Sequence, residues 1–357
     1  MVWTLLSMVL CLGSMLASQS HQESQAAAMT HTQDLRALNS ETARAQSLAL
    51  TSLLDLQVGN QDSHWPDYQD CATSVESLLL TSAASQIPSS DFTTVVSSLT
   101  QWRDGLTIAH HDAASSGLVS GALDSIQTYY TAVSAAISAQ ISATEDQISS
   151  DTPYIALGIV ASVLGALGFV VVSVLTARRS HRVINIGLTI GLLSIVGAIV
   201  CSGIYAARSA EISDTDSRVA NLAQAQADVW DMRSSDALFV LDPGSSATHR
   251  NTSGDLMDSI GSELASVAAG SDVSDLQDAQ DTLQTSQDPG GWSTAVLNDS
   301  MWDDIGDWLD SAISLDTLDS ASMVVPALSY VVIVAGCCVV AVIATLAGIH
   351  ARTKEYL

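Results

Sequence analysis

Hydropathy divides this chain more sharply than any motif does. Apolar runs occupy residues 2–17, 154–176, 183–207 and 323–349. The last three hold 23, 25 and 27 residues, and about 20 apolar residues cross a bilayer core as a helix. The pattern predicts an all-α membrane protein with four transmembrane helices in two hairpins, each carrying an extracytoplasmic helical bundle. Residues 1–17, 154–176, 183–207 and 323–349 are the expected spans. Residues 18–153 and 208–322 are the expected extracytoplasmic domains. Residues 177–182 form a cytoplasmic link and residues 350–357 a cytoplasmic tail. Neither is long enough to be an enzyme, so another protein has to read any message passed inward.

Charge sets the expected sides. Arg178, Arg179, Arg182, Arg352 and Lys354 are five of the 12 Lys and Arg, all within the link and tail. Short flanks rich in Lys and Arg stay cytoplasmic, which places both termini and the link inside the cell membrane. The two long polar segments carry net charges of −12 and −18, and the link and tail together +4, within a total of −26. Such acidity disfavours nucleic acid and anionic lipid headgroups as partners of the long segments. Membrane lipid is the expected surrounding of the spans.

The first span is the weakest, with 16 apolar residues and no preceding Lys or Arg. A cleaved signal peptide is its rival. The missing basic region and the poor cleavage site at Met15-Leu16-Ala17 favour an uncleaved span, and a start codon misplaced downstream would account for the missing charges. Cys71 is the one cysteine in a polar segment, so neither polar segment can close a disulfide within itself. The expected role of Cys71 is a buried thiol, with an intermolecular bridge as the alternative.

Within the polar segments, apolar residues recur at helical spacing. Leu35, Leu38, Thr42, Ala45, Ala49, Leu53 and Leu56 mark one helix, and Val119, Leu123, Ile126, Tyr130, Val133, Ile137 and Ile141 mark another. Breaks are predicted at residues 60–67, 87–91 and 110–117. In the second segment, Val219, Leu222, Val229, Arg233, Ala237 and Val240 mark a helix ended by Asp242-Pro243-Gly244. Helices over 253–269 and 273–285, a turn at Asp288-Pro289-Gly290-Gly291 and a last helix from Leu297 follow.

Chemistry is sparse. The expected spans contain no Asp, Glu, Lys, Arg or His, which argues against an ion path. The small-residue pairs Ala161/Gly165, Gly187/Gly191 and Ala344/Gly348 serve close helix packing, within the bundle or in a homodimer. Asp299, Asp303, Asp307 and Asp310, with Asp304 beside them, repeat at helical spacing but lack the alternating ligands and central glycine of a Ca²⁺ loop. Asp272, Asp275, Asp278 and Asp281 lack them too. Both runs read as solvated helix faces. Trp292, Trp302 and Trp308 read as core or interface anchors. Asn251 and Asn298 open glycosylation sequons by pattern only. No nucleophile motif, phosphate loop or paired-cysteine motif is present, so no catalytic residue, metal or cofactor is expected and the chain reads as a non-enzyme.

Three short stretches carry a resemblance: Arg178 to Asn185, Met232 to Phe239 and Gly348 to Tyr356. On these and on its layout, the chain resembles the actinobacterial four-span membrane proteins associated with a glutamine-binding lipoprotein and the cytoplasmic protein kinase G. It departs from them in lacking basic residues before the first span. The resemblance implies a non-enzymatic relay from an extracytoplasmic solute-binding lipoprotein to a cytoplasmic Ser/Thr kinase. Arg178, Arg179, Arg182, Arg352, Lys354, Glu355 and Tyr356 are the candidate cytoplasmic partner surface. Arg233 and Asp236 are the candidate external one. A structural envelope scaffold and an accessory subunit of a transporter are the competing readings.

Overall fold

The computed structural model describes residues 2–84, 92–116, 120–145, 186–265 and 289–323, with isolated positions between 160 and 174 and between 332 and 347. Among the described residues all regular structure is helical: α1 (Val2–Val58), α2 (His64–Ala84), α3 (Phe92–Ser116), α4 (Ser120–Glu145), α5 (Ile186–Leu241), α6 (Ser246–Ala265), α7 (Pro289–Val296) and α8 (Asp299–Met323).

Among the described residues no helix is long and apolar enough to cross a membrane. This overturns the four transmembrane helices, their two hairpins, the multi-pass membrane location and the placing of both termini in the cytoplasm. The first apolar run is short and belongs to α1, which continues through Ser18, Gln19 and His21 into polar sequence. The third opens α5, which continues through Arg208, Glu211 and Asp214. Of the second run, and of the fourth beyond the end of α8, only isolated positions are described.

The chain divides into two compact units. One comprises Met1–Ala26, Ser149–Thr215 and Asp319–Leu357. Its described apolar side chains include Leu167, Leu193, Val196, Val332 and Ile343, all exposed. The other comprises Ala27–Ile148 and Asp216–Leu318, so two segments far apart in sequence share one core.

That core follows the helical stripes. In α1 the side chains of Leu35, Leu38, Thr42, Ala45, Ala49 and Leu53 are buried, and in α4 those of Leu123, Ile126, Tyr130, Val133 and Ile137. Trp102, Trp292 and Trp302 are buried as anchors of the same unit. Cys71 is a buried free thiol whose Sγ donates to Glu41 Oε2 at 3.0 Å. Burial and the Glu41 carboxylate both push its proton affinity up, which keeps it an inert thiol.

Helix ends follow local chemistry. α1 stops at Gly59, whose φ of 77° suits glycine. Asn60 N then donates to Asp55 O at 2.9 Å, the six-residue return that closes an α-helix on a left-handed residue. Pro66 falls in the first turn of α2, where its missing N–H leaves no hydrogen bond unmade. The break is therefore shorter than 60–67. α5 ends at Leu241, before Asp242-Pro243-Gly244, as expected.

Two expected breaks differ from expectation among the described residues. α3 runs through residues 110–116. His110 is held there by Asp62 at 2.7 Å and stacks on Trp65 at 3.6 Å between ring centroids. Pro289-Gly290-Gly291 opens α7 instead of forming a turn, since proline is well suited to the first helical position. The expected helix over 273–285 lies outside the described residues.

Candidate functional site

Two polar centres lie inside the second unit, and both join the sequence-distant segments. In the first, His64 opens α2 between two carboxylates. Its Nδ1 is 2.6 Å from Asp55 Oδ2 on α1, and its Nε2 is 2.9 Å and 3.1 Å from the two oxygens of Asp299 on α8. A ring with N–H on both nitrogens donates to both acids at once.

Asp299 also accepts from Arg233 Nη2 at 2.6 Å. The same guanidinium donates from Nε and Nη2 to Val296 O at 3.1 Å and 2.9 Å, satisfying a carbonyl that α7 leaves open at its end. The guanidinium also lies over the Trp302 ring, 5.7 Å from its centroid. Burial alone raises the proton affinity of Asp299, but the bonds from His64 and Arg233 outweigh it and hold the carboxyl below its ordinary range. Burial lowers that of Arg233, and Asp299 opposes the shift. Asp303 is pushed up by burial and by the charge of Asp299.

The second centre is a cluster of acids. The Tyr130 hydroxyl on α4 donates to Asp231 Oδ1 on α5. One turn earlier on α5, Asp228 accepts from Gln224 Nε2 at 2.7 Å. Ser259 on α6 donates to Glu263 Oε1 at 3.3 Å. Burial pushes Asp231 up to about 7, with Tyr130 opposing and the Asp228 charge adding. Burial, with Asp228 adding to it, pushes Glu263 up to about 7. Burial also raises Asp228.

Earlier along α1 and α5 the segments are also laced by a polar seam. Arg36 on α1 reaches Glu145 on α4 at 2.7 Å and Asp216 on α5 at 3.4 Å. Ser40 donates to Gln226 Oε1 at 2.7 Å, and Gln226 Nε2 donates to Asp310 on α8 at 2.6 Å. Trp230 lies so close to Gly306 that a Cβ there would sit 2.8 Å from its ring. Among the described residues, no group of three or more His, Cys, Asp or Glu is placed to hold a metal ion. Ser63 Oγ is 3.5 Å from His64 Nδ1, while that nitrogen sits far closer to Asp55, so the geometry does not activate the hydroxyl.

No protein family model, curated protein or solved structure matches this chain. Nothing found identifies it with the sensor family that it resembles.

The residues singled out from sequence fall in unexpected places. Arg233 and Asp236 are 1% and 0% exposed, so neither offers a surface to a partner. Arg233 clamps α7 and α8, and Asp236 accepts from Ser253 Oγ on α6 at 2.7 Å. Arg178, Arg179, Arg182, Arg352, Lys354, Glu355 and Tyr356 lie outside the described residues, as do Asp272, Asp275, Asp278 and Asp281. The acidic face of α8 is not wholly solvated, because Asp299 and Asp310 hold partners on α2 and α5. Asp55, His64, Tyr130, Asp228, Asp231 and Glu263 carried no signal of a shared site. Their partners are up to 235 positions apart, beyond the reach of any local period.

Proposed function

We propose that the unit of residues 27–148 and 216–318 is a non-enzymatic relay that couples one bound partner protein to another. The seam through Ser40, Gln226 and Asp310 is the observation that supports this reading. Gln226 is 8% exposed and holds one partner on α1 and one on α8. Sliding α5 by one turn breaks both bonds together and strands a buried amide, which costs about 1–3 kcal/mol. Packing of that kind has discrete registers, and a relay needs a two-state element that its partners bias differently.

The partners are those that the resemblance implies, an amino-acid-binding lipoprotein and a Ser/Thr kinase. The test is kinase output with and without the external amino acid, in cells carrying the intact chain, no chain, or the Gln226→Leu variant. Loss of the amino-acid response without the chain, and a fixed output with Gln226→Leu, support the relay. A full response in cells lacking the chain refutes it.

A further inference from the structure

The His64 ring meets carboxylates on both of its nitrogens, and they come from segments far apart in sequence. Nδ1 lies 2.6 Å from Asp55 Oδ2 on α1, and Nε2 lies 2.9 Å and 3.1 Å from the two oxygens of Asp299 on α8. The two acids differ in what else holds them. Asp55 is as buried as the ring itself and accepts besides from the Asn60 amide at 3.3 Å. Asp299 is half exposed and accepts from Arg233 Nη2 at 2.6 Å.

An imidazolium has a donor for each acid, whereas the neutral ring has one donor and one lone pair. Histidine is the side chain that moves between these forms at about pH 5 to 8. Asp299 is held below the ordinary carboxylate range, so it stays ionised throughout. The single N–H of the neutral ring goes to Asp55, because the more buried acid costs more to strand. The Nε2 lone pair then faces the oxygens of Asp299, where acceptor meets acceptor.

We propose that His64 is a proton-operated catch between α2 and α8, closed while its ring carries two N–H groups and released when it carries one. Arg233 keeps Asp299 and Val296 in both forms, so α7 and α8 remain tied to α5 and the release is confined to the contact with α2. The charged groups around the ring are Asp55 from α1, Asp299 from α8 and, through Asp299, Arg233 from α5. Ser63 Oγ, 3.5 Å from Nδ1, is a neutral neighbour. Beyond Asp299, the charges of Asp303 and Arg44 oppose each other at Arg233. His110 on α3 pairs with Asp62 at 2.7 Å, and its part is tested separately. The catch does not depend on the relay reading, because the seam through Gln226 is not part of it.

The full chain, carrying ¹⁵N in its histidine rings, is followed by NMR from about pH 5 to about pH 8. The His64 signals are those missing in His64→Gln. Hydrogen exchange by mass spectrometry, corrected for the intrinsic effect of pH, is read on the same samples over residues 64–71 and 299–306. Both stretches are expected to lose protection about fivefold or more, the equivalent of one hydrogen bond, as the His64 ring gives up its second N–H. Asp299→Asn separates the catch from any other effect of the histidine. An asparagine offers an oxygen to the charged ring or an N–H to the neutral one, so the ring still titrates and the step is expected to vanish. The step is expected to vanish in His64→Gln as well and to remain in His110→Gln. Unchanged protection while the His64 ring titrates overturns the proposal. So does a step that survives in Asp299→Asn or His64→Gln, or one that His110→Gln abolishes. A ring that keeps one form across the whole range overturns it too, since no proton then operates the catch.

Discussion

The two polar centres of the second unit use the same side chain to opposite effect. Asp299 and Asp231 are both aspartates facing residues from other helices. Asp299 has His64 and Arg233 against it, and its carboxyl is held below its ordinary range. Asp231 has a tyrosine hydroxyl and a second carboxylate for neighbours, and it is pushed up to about 7. Burial acts in the same direction on both. The difference lies in what burial is set against. The bonds from His64 and Arg233 outweigh desolvation, whereas one hydroxyl donor does not. The first centre is thus a clamp that is strongest with its acid ionised. The second relaxes when its acids are neutral.

Replacing Arg233 with Met breaks the clamp at its centre and is the largest expected effect. The Val296 carbonyl loses both donors, and Asp299 keeps only His64. Asp299 is half exposed, so the loss is set at the low end for a broken charge pair, about 3 kcal/mol, read by urea unfolding at neutral pH. A loss below about 1 kcal/mol means that the clamp is an ordinary surface pair.

The acid cluster makes stability depend on pH in a fixed direction. For Asp231 and Glu263 the folded values lie above the unfolded ones, so their stabilising contribution is complete at low pH. It is lost as pH rises from about 4 through about 7. Asp299 runs the other way, and its contribution is lost only as pH falls below about 4. Stability is therefore expected to be greatest at about pH 4 and lower by about 1–2 kcal/mol at pH 8. That figure is well below the full shift, since Glu263 is only half buried. Asp231→Asn is expected to recover most of the difference at pH 8 and to change little at about pH 4 or below, where Asp231 is neutral in the folded chain. Equal effects at the two pH values, measured by thermal melts, break the comparison.

Tyr130→Phe is the smallest change. It removes one hydrogen bond, about 1 kcal/mol. The Tyr130 bond lowers the proton affinity of Asp231, so its removal moves the stability step to higher pH. A step moved to lower pH contradicts the assigned donor.

The helical body was legible because its stripes are local. Leu35 to Leu53 and Leu123 to Ile137 repeat with the helical period, and the core follows them. Arg233 lies on such a stripe, and the stretch from Met232 to Phe239 that carries the resemblance makes it a candidate partner surface. Only its contact with Asp299, 66 positions away, explains why it is buried. The same blindness applied to the acidic face of α8, whose spacing is right for solvent and whose partners come from α2 and α5. Nothing near His110 in sequence shows Asp62 or Trp65, the partners that hold it within α3. The apolar runs predict four membrane spans, and no described helix meets the length and apolarity that a span requires.

The opposite tuning of Asp299 and Asp231 is tested most directly by carboxyl ¹³C titration of the full chain, with Asp299→Asn and Asp231→Asn variants to assign the signals. The expected result is one aspartate titrating below the ordinary value of about 3.9 and missing in Asp299→Asn, and another titrating near 7 and missing in Asp231→Asn. If both titrate together near the ordinary value, the two centres are not different, and neither the clamp nor the acid cluster shapes the stability of this fold.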